Sequence, residues 1–176
     1  MDKKRLFSII GGVLGALAIL FIMSIGNNAP LDRLFQNDSF ENAKDKTFSE
    51  AGMSIVLTEN FSEEDNVSFT SSYYSKRVAV FALKEEFSLQ EGIEDLTLPE
   101  YAQLVIDNND TSSQLNNEDG LTSFEYDKQV NGKDMHYYAC AFKASDAFWL
   151  IQFACENKYY EEYSALITKW AKSVTV

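Results

Sequence analysis

Asp127, His136 and Cys155 are the side chains of this sequence that together could do covalent chemistry. They form the set of a thiol nucleophile, a base to activate it and a carboxylate to orient that base. His136 is the only histidine, and Cys140 and Cys155 are the only cysteines. The same residues also have an ordinary reading. Cysteine is among the most buried residue types, and an aspartate opposite a histidine is a common cross-strand pair. No oxyanion donor can be identified beside them. The sequence reading therefore assigns no catalytic residue and keeps Cys155, His136 and Asp127 as an alternative thiol site. A zinc site is disfavoured, because a stable one needs three or four ligands and Cys140 lies too far along its strand.

Whether the three residues meet depends on two turns. Asn131-Gly132 separates Leu121–Val130 from Lys133–Lys143 and is the strongest short hairpin signal a sequence can carry. Ser145-Asp146 separates the second segment from Ala147–Cys155. Two-residue turns at both places put Tyr126 opposite Tyr137, Asp127 opposite His136, Cys140 opposite Ile151 and His136 opposite Cys155. Tyr138, Cys140, Phe142, Trp149, Ile151, Phe153 and Cys155 then share one face. Phe124, Tyr126, Tyr137, Ala139, Ala141, Phe148, Leu150 and Ala154 share the other. Both faces are apolar, whereas a sheet with one wet face alternates apolar and polar residues. Something must cover each side. In this register the two cysteines lie about four residues apart along the strands, roughly 13 Å. A disulfide needs Cα atoms within about 7 Å, so two free thiols are expected.

The remaining elements supply the covers. Residues 52–58, 67–74 and 77–84 read as strands, the last two as a hairpin around Ser75-Lys76. Thr97-Leu98-Pro99-Glu100 is a capping box that starts a helix reaching Asn108. A polar loop follows at 107–120. Tyr159, Tyr163, Leu166, Ile167, Trp170 and Val174 repeat at helical spacing, with Asn157 as the expected cap and Glu161 and Glu162 in the expected first turn. The order predicts an α+β fold, an antiparallel sheet of about six strands covered by helices on both faces.

The helix "LTLPEYAQLV" after "VAVFALKEEF", the strand "GLTSFEY", the hairpin "YYACAFKASDAFWLIQFAC" and the closing helix "YSALITKWAKSV" resemble the PsbP-like proteins. That superfamily includes the extrinsic photosystem II protein PsbP and a Ran-binding nuclear import factor. The resemblance is closest to small, single-anchor versions from Gram-positive bacteria and covers most of residues 47–176. It implies an α-β-α sandwich in a family of non-enzymatic binding and assembly proteins. It carries no functional residue onto this chain.

The N-terminal segment sets the expected location. Residues 6–25 contain no charged side chain, and 20 helical residues rise about 30 Å, enough to span a bilayer. They are read as a transmembrane signal anchor behind a cytoplasmic basic tail at 1–5, with Lys3, Lys4 and Arg5 inside. Cleavage after Gly26, as for a signal peptide, is the rival reading. Gly11 and Gly15 could pack two anchors into a dimer. Residues 26–46 read as a juxtamembrane linker, and residues 47–176 as one extracytoplasmic domain at the cell membrane. Beyond residue 26 the chain holds 12 basic and 26 acidic residues, a net charge of −14. Such a surface is repelled by nucleic-acid phosphates. The acidic stretches at 62–66 and 107–120 offer oxygen ligands without the spacing of a known calcium loop. Asn37, Asn60, Asn66 and Asn109 begin glycosylation sequons. The expected function is a membrane-tethered, non-enzymatic module, needing no cofactor, that binds an unidentified protein partner in envelope assembly or stress. A divalent-cation-binding module and the thiol enzyme are the alternatives.

Overall fold

A computed structural model describes residues 40–109 and 112–176. Eight strands and two α-helices follow in order: β1 (Asp45–Glu50), β2 (Met53–Thr58), β3 (Ser62–Glu63), β4 (Ser71–Tyr74), β5 (Ala79–Glu86), α1 (Leu98–Asn108), β6 (Thr122–Val130), β7 (Lys133–Lys143), β8 (Ala147–Glu156) and α2 (Asn157–Lys172). Strands β3 to β8 form one antiparallel sheet in the order β3-β4-β5-β8-β7-β6, and β1 pairs with β2 in a separate hairpin. The sheet has helices on both sides: an α+β sandwich.

The register of the last three strands is the one their turns require. Asp127 pairs with His136, His136 with Cys155, and Cys140 with Ile151. Asn131 and Gly132 both take the left-handed backbone, with φ of 51° and 76°, as a tight turn matched to strand twist demands. The two faces divide as the alternation implies. Phe81, Phe124, Tyr137, Phe148 and Leu150 pack with Tyr101 and Val105 of α1. Cys140, Trp149, Ile151, Phe153 and Cys155 pack with Tyr163, Ile167 and Trp170 of α2 and with Ile55 and Leu57 of β2.

Each helix is fixed by local chemistry. Thr97 Oγ1 accepts from Glu100 N at 3.4 Å, and Thr97 N donates to Glu100 Oε2 at 2.9 Å, so the capping box closes in both directions. Helix α2 starts differently from its expected form. Its first residue is Asn157, Glu156 stands at the cap without a side-chain bond, and no acidic residue occupies its first turn. Asn157 Nδ2 donates instead to Asp127 Oδ2 at 3.2 Å.

The β1–β2 hairpin is clamped to the C-terminus. Ser54 N donates to Thr175 O and Thr175 N to Ser54 O, both at 2.9 Å. Phe40, from the segment read as linker, packs against Phe61, Tyr163 and Trp170. The hairpin turns on Ala51-Gly52, and Ala51 is held at φ 52°, where a Cβ is unfavourable. Ala51→Asn is expected to raise stability by about 0.5–1 kcal/mol, because asparagine tolerates the left-handed region. A shift of the urea midpoint checks this; an unchanged or lower midpoint counts against it.

One expectation is corrected. Among the described residues no helix is long and apolar enough to cross a membrane. The helix expected at 6–25 lies outside the described residues, and the fold of the described residues is the sandwich alone. Cell-membrane localisation with the N-terminus inside, the membrane tether and the anchor dimer through Gly11 and Gly15 depended on that helix and are withdrawn with it.

Candidate functional site

Asp127, His136 and Cys155 stand side by side on β6, β7 and β8, on the sheet face that α2 covers. The register brings the trio together as expected. The partners it makes are different from those of a thiol enzyme. His136 Nδ1 lies 2.7 Å from Asp127 Oδ1, so this nitrogen carries the proton and donates. His136 Nε2 lies 3.3 Å from Glu125 Oε2 but outside hydrogen-bonding geometry. The imidazole stacks on Tyr160 of α2, ring centroids 3.6 Å apart, and Tyr160 donates to Glu125 Oε1 at 2.9 Å. Asn157 holds the other oxygen of Asp127. The result is a polar clasp joining the edge of the sheet to the first turns of α2.

Cys155 takes no part in the clasp. It is 0% exposed within the apolar layer under α2, and no hydrogen bond joins its thiol to His136. Burial pushes the thiol up to about 12, far from the range in which a thiolate forms near neutral pH. Cys140 is likewise free, fully buried and pushed up to about 12, chiefly by burial. An open cleft of about 490 Å³ lies beside the start of α2, lined by Gly132, Lys133, Asp134, Glu156, Asn157 and Lys158. Neither Cys155 nor His136 lines it.

Among the described residues no group of three or more His, Cys, Asp or Glu side chains converges as a metal site. The acidic stretch at 62–66 instead borders a second cleft of about 370 Å³, shared with Glu50 of β1 and with β4.

Sequence reasoning passed over one buried ionisable pair. Glu85 of β5 is 3% exposed and accepts a hydrogen bond from the Tyr101 hydroxyl of α1. Tyr101 in turn stacks on Phe148 at 4.2 Å. The strand period already places Glu85 on the face of Phe81 and Leu83, which is the signal that finds it. Burial raises the Glu85 carboxyl above its ordinary range, although the Tyr101 hydrogen bond opposes this. The folded chain therefore binds this proton more tightly than the unfolded chain. Stability is expected to fall as pH rises from the ordinary glutamate range to the raised folded value, and to level off above it. Glu85→Gln is expected to flatten that decline in urea titrations run across pH; an unchanged slope contradicts it.

The sandwich is a known one. The solution structure of cyanobacterial PsbP from Synechocystis sp. PCC 6803 superposes with a TM-score of 0.53 at 12% identity, covering 80% of this chain and 97% of that one. The fold is PsbP-like. The Ran-binding protein Mog1p of Saccharomyces cerevisiae shares it, with a TM-score of 0.50 at 9% identity over 77% of this chain and 96% of that one. No protein-family model and no curated protein sequence matches the chain. Identities this low show the PsbP-like fold and nothing finer, so these two matches do not extend to the single-anchor Gram-positive versions.

Proposed function

We propose that this PsbP-like domain is a non-enzymatic protein-interaction module. The observation that carries the reading is the burial of Cys155. Among the described residues Cys155 is fully buried, burial pushes its thiol up to about 12, and Asp127 and His136 bond each other beside it, which supports a non-catalytic reading of the row. What the domain offers to solvent is acidic surface, and charge of one sign steers and selects partners of the other. Its fold is shared with a protein described as Ran-binding, which supports a role in binding another protein. The membrane tether of the original expectation is no part of this reading.

Affinity purification of the crosslinked full chain from its own cells tests the proposal. A defined protein that co-purifies and then reassembles with the chain from purified components is the expected result. A chain that recovers no such partner overturns it.

A further inference from the structure

Strand β1 keeps one backbone edge without a partner. The β1–β2 hairpin turns on two residues, Ala51-Gly52, and closes on the pair Glu50 and Met53. Hydrogen-bonded pairs recur at every second residue, so Lys44, Lys46, Phe48 and Glu50 turn their N–H and C=O groups toward β2. Glu59 N donates to Lys44 O at 2.8 Å, as this parity requires. The far edge of β2 agrees with it: Ser54 exchanges both backbone bonds with Thr175, and Val56 N donates to Ser173 Oγ at 2.9 Å. Asp45, Thr47 and Ser49 therefore aim their backbone groups away from β2. Among the described residues no hydrogen bond reaches those groups.

The edges of the large sheet are guarded differently. On β6, Ser123 exchanges bonds with Asn116 at 2.7 and 2.8 Å, and Glu125 O accepts from Ser113 Oγ at 2.7 Å. Strand β3 is only two residues long. Strand β1 runs six residues in unbroken register with β2 and has no proline, no bulge and, among the described residues, no cover. Its one central charge, Lys46, is drawn back over the Phe48 ring of its own strand, 4.3 Å from the centroid. The edge is also self-complementary. Lys44 and Lys46 balance Asp45 and Glu50, a locally neutral stretch in a chain of net charge −12. A two-fold antiparallel pairing centred on Lys46 would set two lysines opposite each other, and one centred on Phe48 would set Asp45 against the turn residue Ala51. Centring on Thr47 pairs Asp45 with Ser49 and Lys44 with Glu50 of a second copy. Every outward N–H and C=O then finds a partner, and no like charges meet.

We infer that β1 pairs with β1 of a second copy of this chain, antiparallel about a two-fold axis at Thr47, joining the two hairpins into one continuous sheet. An interface this narrow makes a weak, concentration-dependent dimer. Self-association of this kind is separate from binding of another protein, and either can hold without the other.

Sedimentation of the full chain over a concentration series tests it, with a reversible monomer–dimer equilibrium as the expected result. Glu50→Lys sets lysines opposite each other at both ends of the ladder and should raise the dimer Kd about tenfold or more. K44E/E50K exchanges the two charges and should restore Kd to within about threefold of wild type. Glu162→Lys makes the same charge change on the exposed side of α2 and should shift Kd less than about twofold. Thr47→Pro removes an N–H that β2 does not use and should leave a folded monomer. Thermal melts of each variant confirm that it is folded. The Cα atoms of a hydrogen-bonded antiparallel pair lie about 5.5 Å apart, within reach of a disulfide. Thr47→Cys should therefore crosslink two copies under mild oxidation, whereas Ser49→Cys, about 13 Å from its counterpart, should not. Cys140 and Cys155 are fully buried and stay out of this reaction. A chain that stays monomeric at every concentration overturns the pairing, as does a dimer that Glu50→Lys and Thr47→Pro leave unchanged. Crosslinking of Ser49→Cys as readily as Thr47→Cys overturns it too.

Discussion

Trp170→Ala is expected to destabilise the domain by about 3–5 kcal/mol, the range for truncating a large buried aromatic. Trp170 is fully buried on α2 and meets Phe40 and Phe61 edge-on, with ring centroids 5.2 Å away in both cases. It therefore joins three separate parts of the chain: the closing helix, the segment before β1 and the corner between β2 and β3. A domain of this size holds only about 5–15 kcal/mol in total, so the loss is a large fraction. Urea unfolding should show a much lower midpoint for Trp170→Ala, while Glu162→Ala on the exposed side of α2 stays near wild type. A cost below about 1 kcal/mol for Trp170→Ala would mean that α2 does not close the core this way.

His136→Ala is expected to cost about 2 kcal/mol, from a lost charge-assisted hydrogen bond and a lost ring stack. The histidine is 9% exposed, hydrogen-bonded to Asp127 and stacked on Tyr160, so its removal loosens the sheet edge from the helix. A double-mutant cycle with Tyr160→Ala separates the clasp from simple packing. A coupling energy of about 0.5–1.5 kcal/mol is expected for stacked rings in contact. Additive effects would show that the two rings do not support one another. Cys155→Ala should leave that coupling intact, because the thiol is no part of the clasp.

The clasp was legible in the sequence as far as the register, and no further. Two turn dipeptides, Asn131-Gly132 and Ser145-Asp146, place Asp127, His136 and Cys155 in one row, because strand pairing is arithmetic once the turns are known. Tyr160 and Glu125 decide what the row does. Tyr160 approaches His136 only after α2 has packed on the sheet, and no local spacing announces that contact. Asn157 misled for the same reason. As a cap it would have bonded its own helix, but a carboxylate on a distant strand competes for the same amide.

The N-terminal half was harder to read. Strand β1 is exposed at every position except Phe48, so it shows almost none of the alternation that marks a half-buried strand. It pairs because β2 is apolar and needs an edge partner, and Phe48 packs on Tyr73 with ring centroids 4.9 Å apart. Residues 67–74 alternate well enough to suggest a full strand, yet only Ser71–Tyr74 pair. Asn66 Oδ1 accepts from Ser68 N at 3.0 Å, and that local turn takes the first residues out of the sheet.

Titration of thiols in the native full chain tests most directly whether the row through Asp127, His136 and Cys155 is a clasp or a reactive centre. With both thiols fully buried and pushed up to about 12, an aromatic disulfide reagent at neutral pH should label neither cysteine on the timescale of an active-site thiol. Both cysteines should react at once in denaturant. Rapid native labelling of Cys155, lost in His136→Ala, would contradict the clasp and identify a thiol that His136 activates.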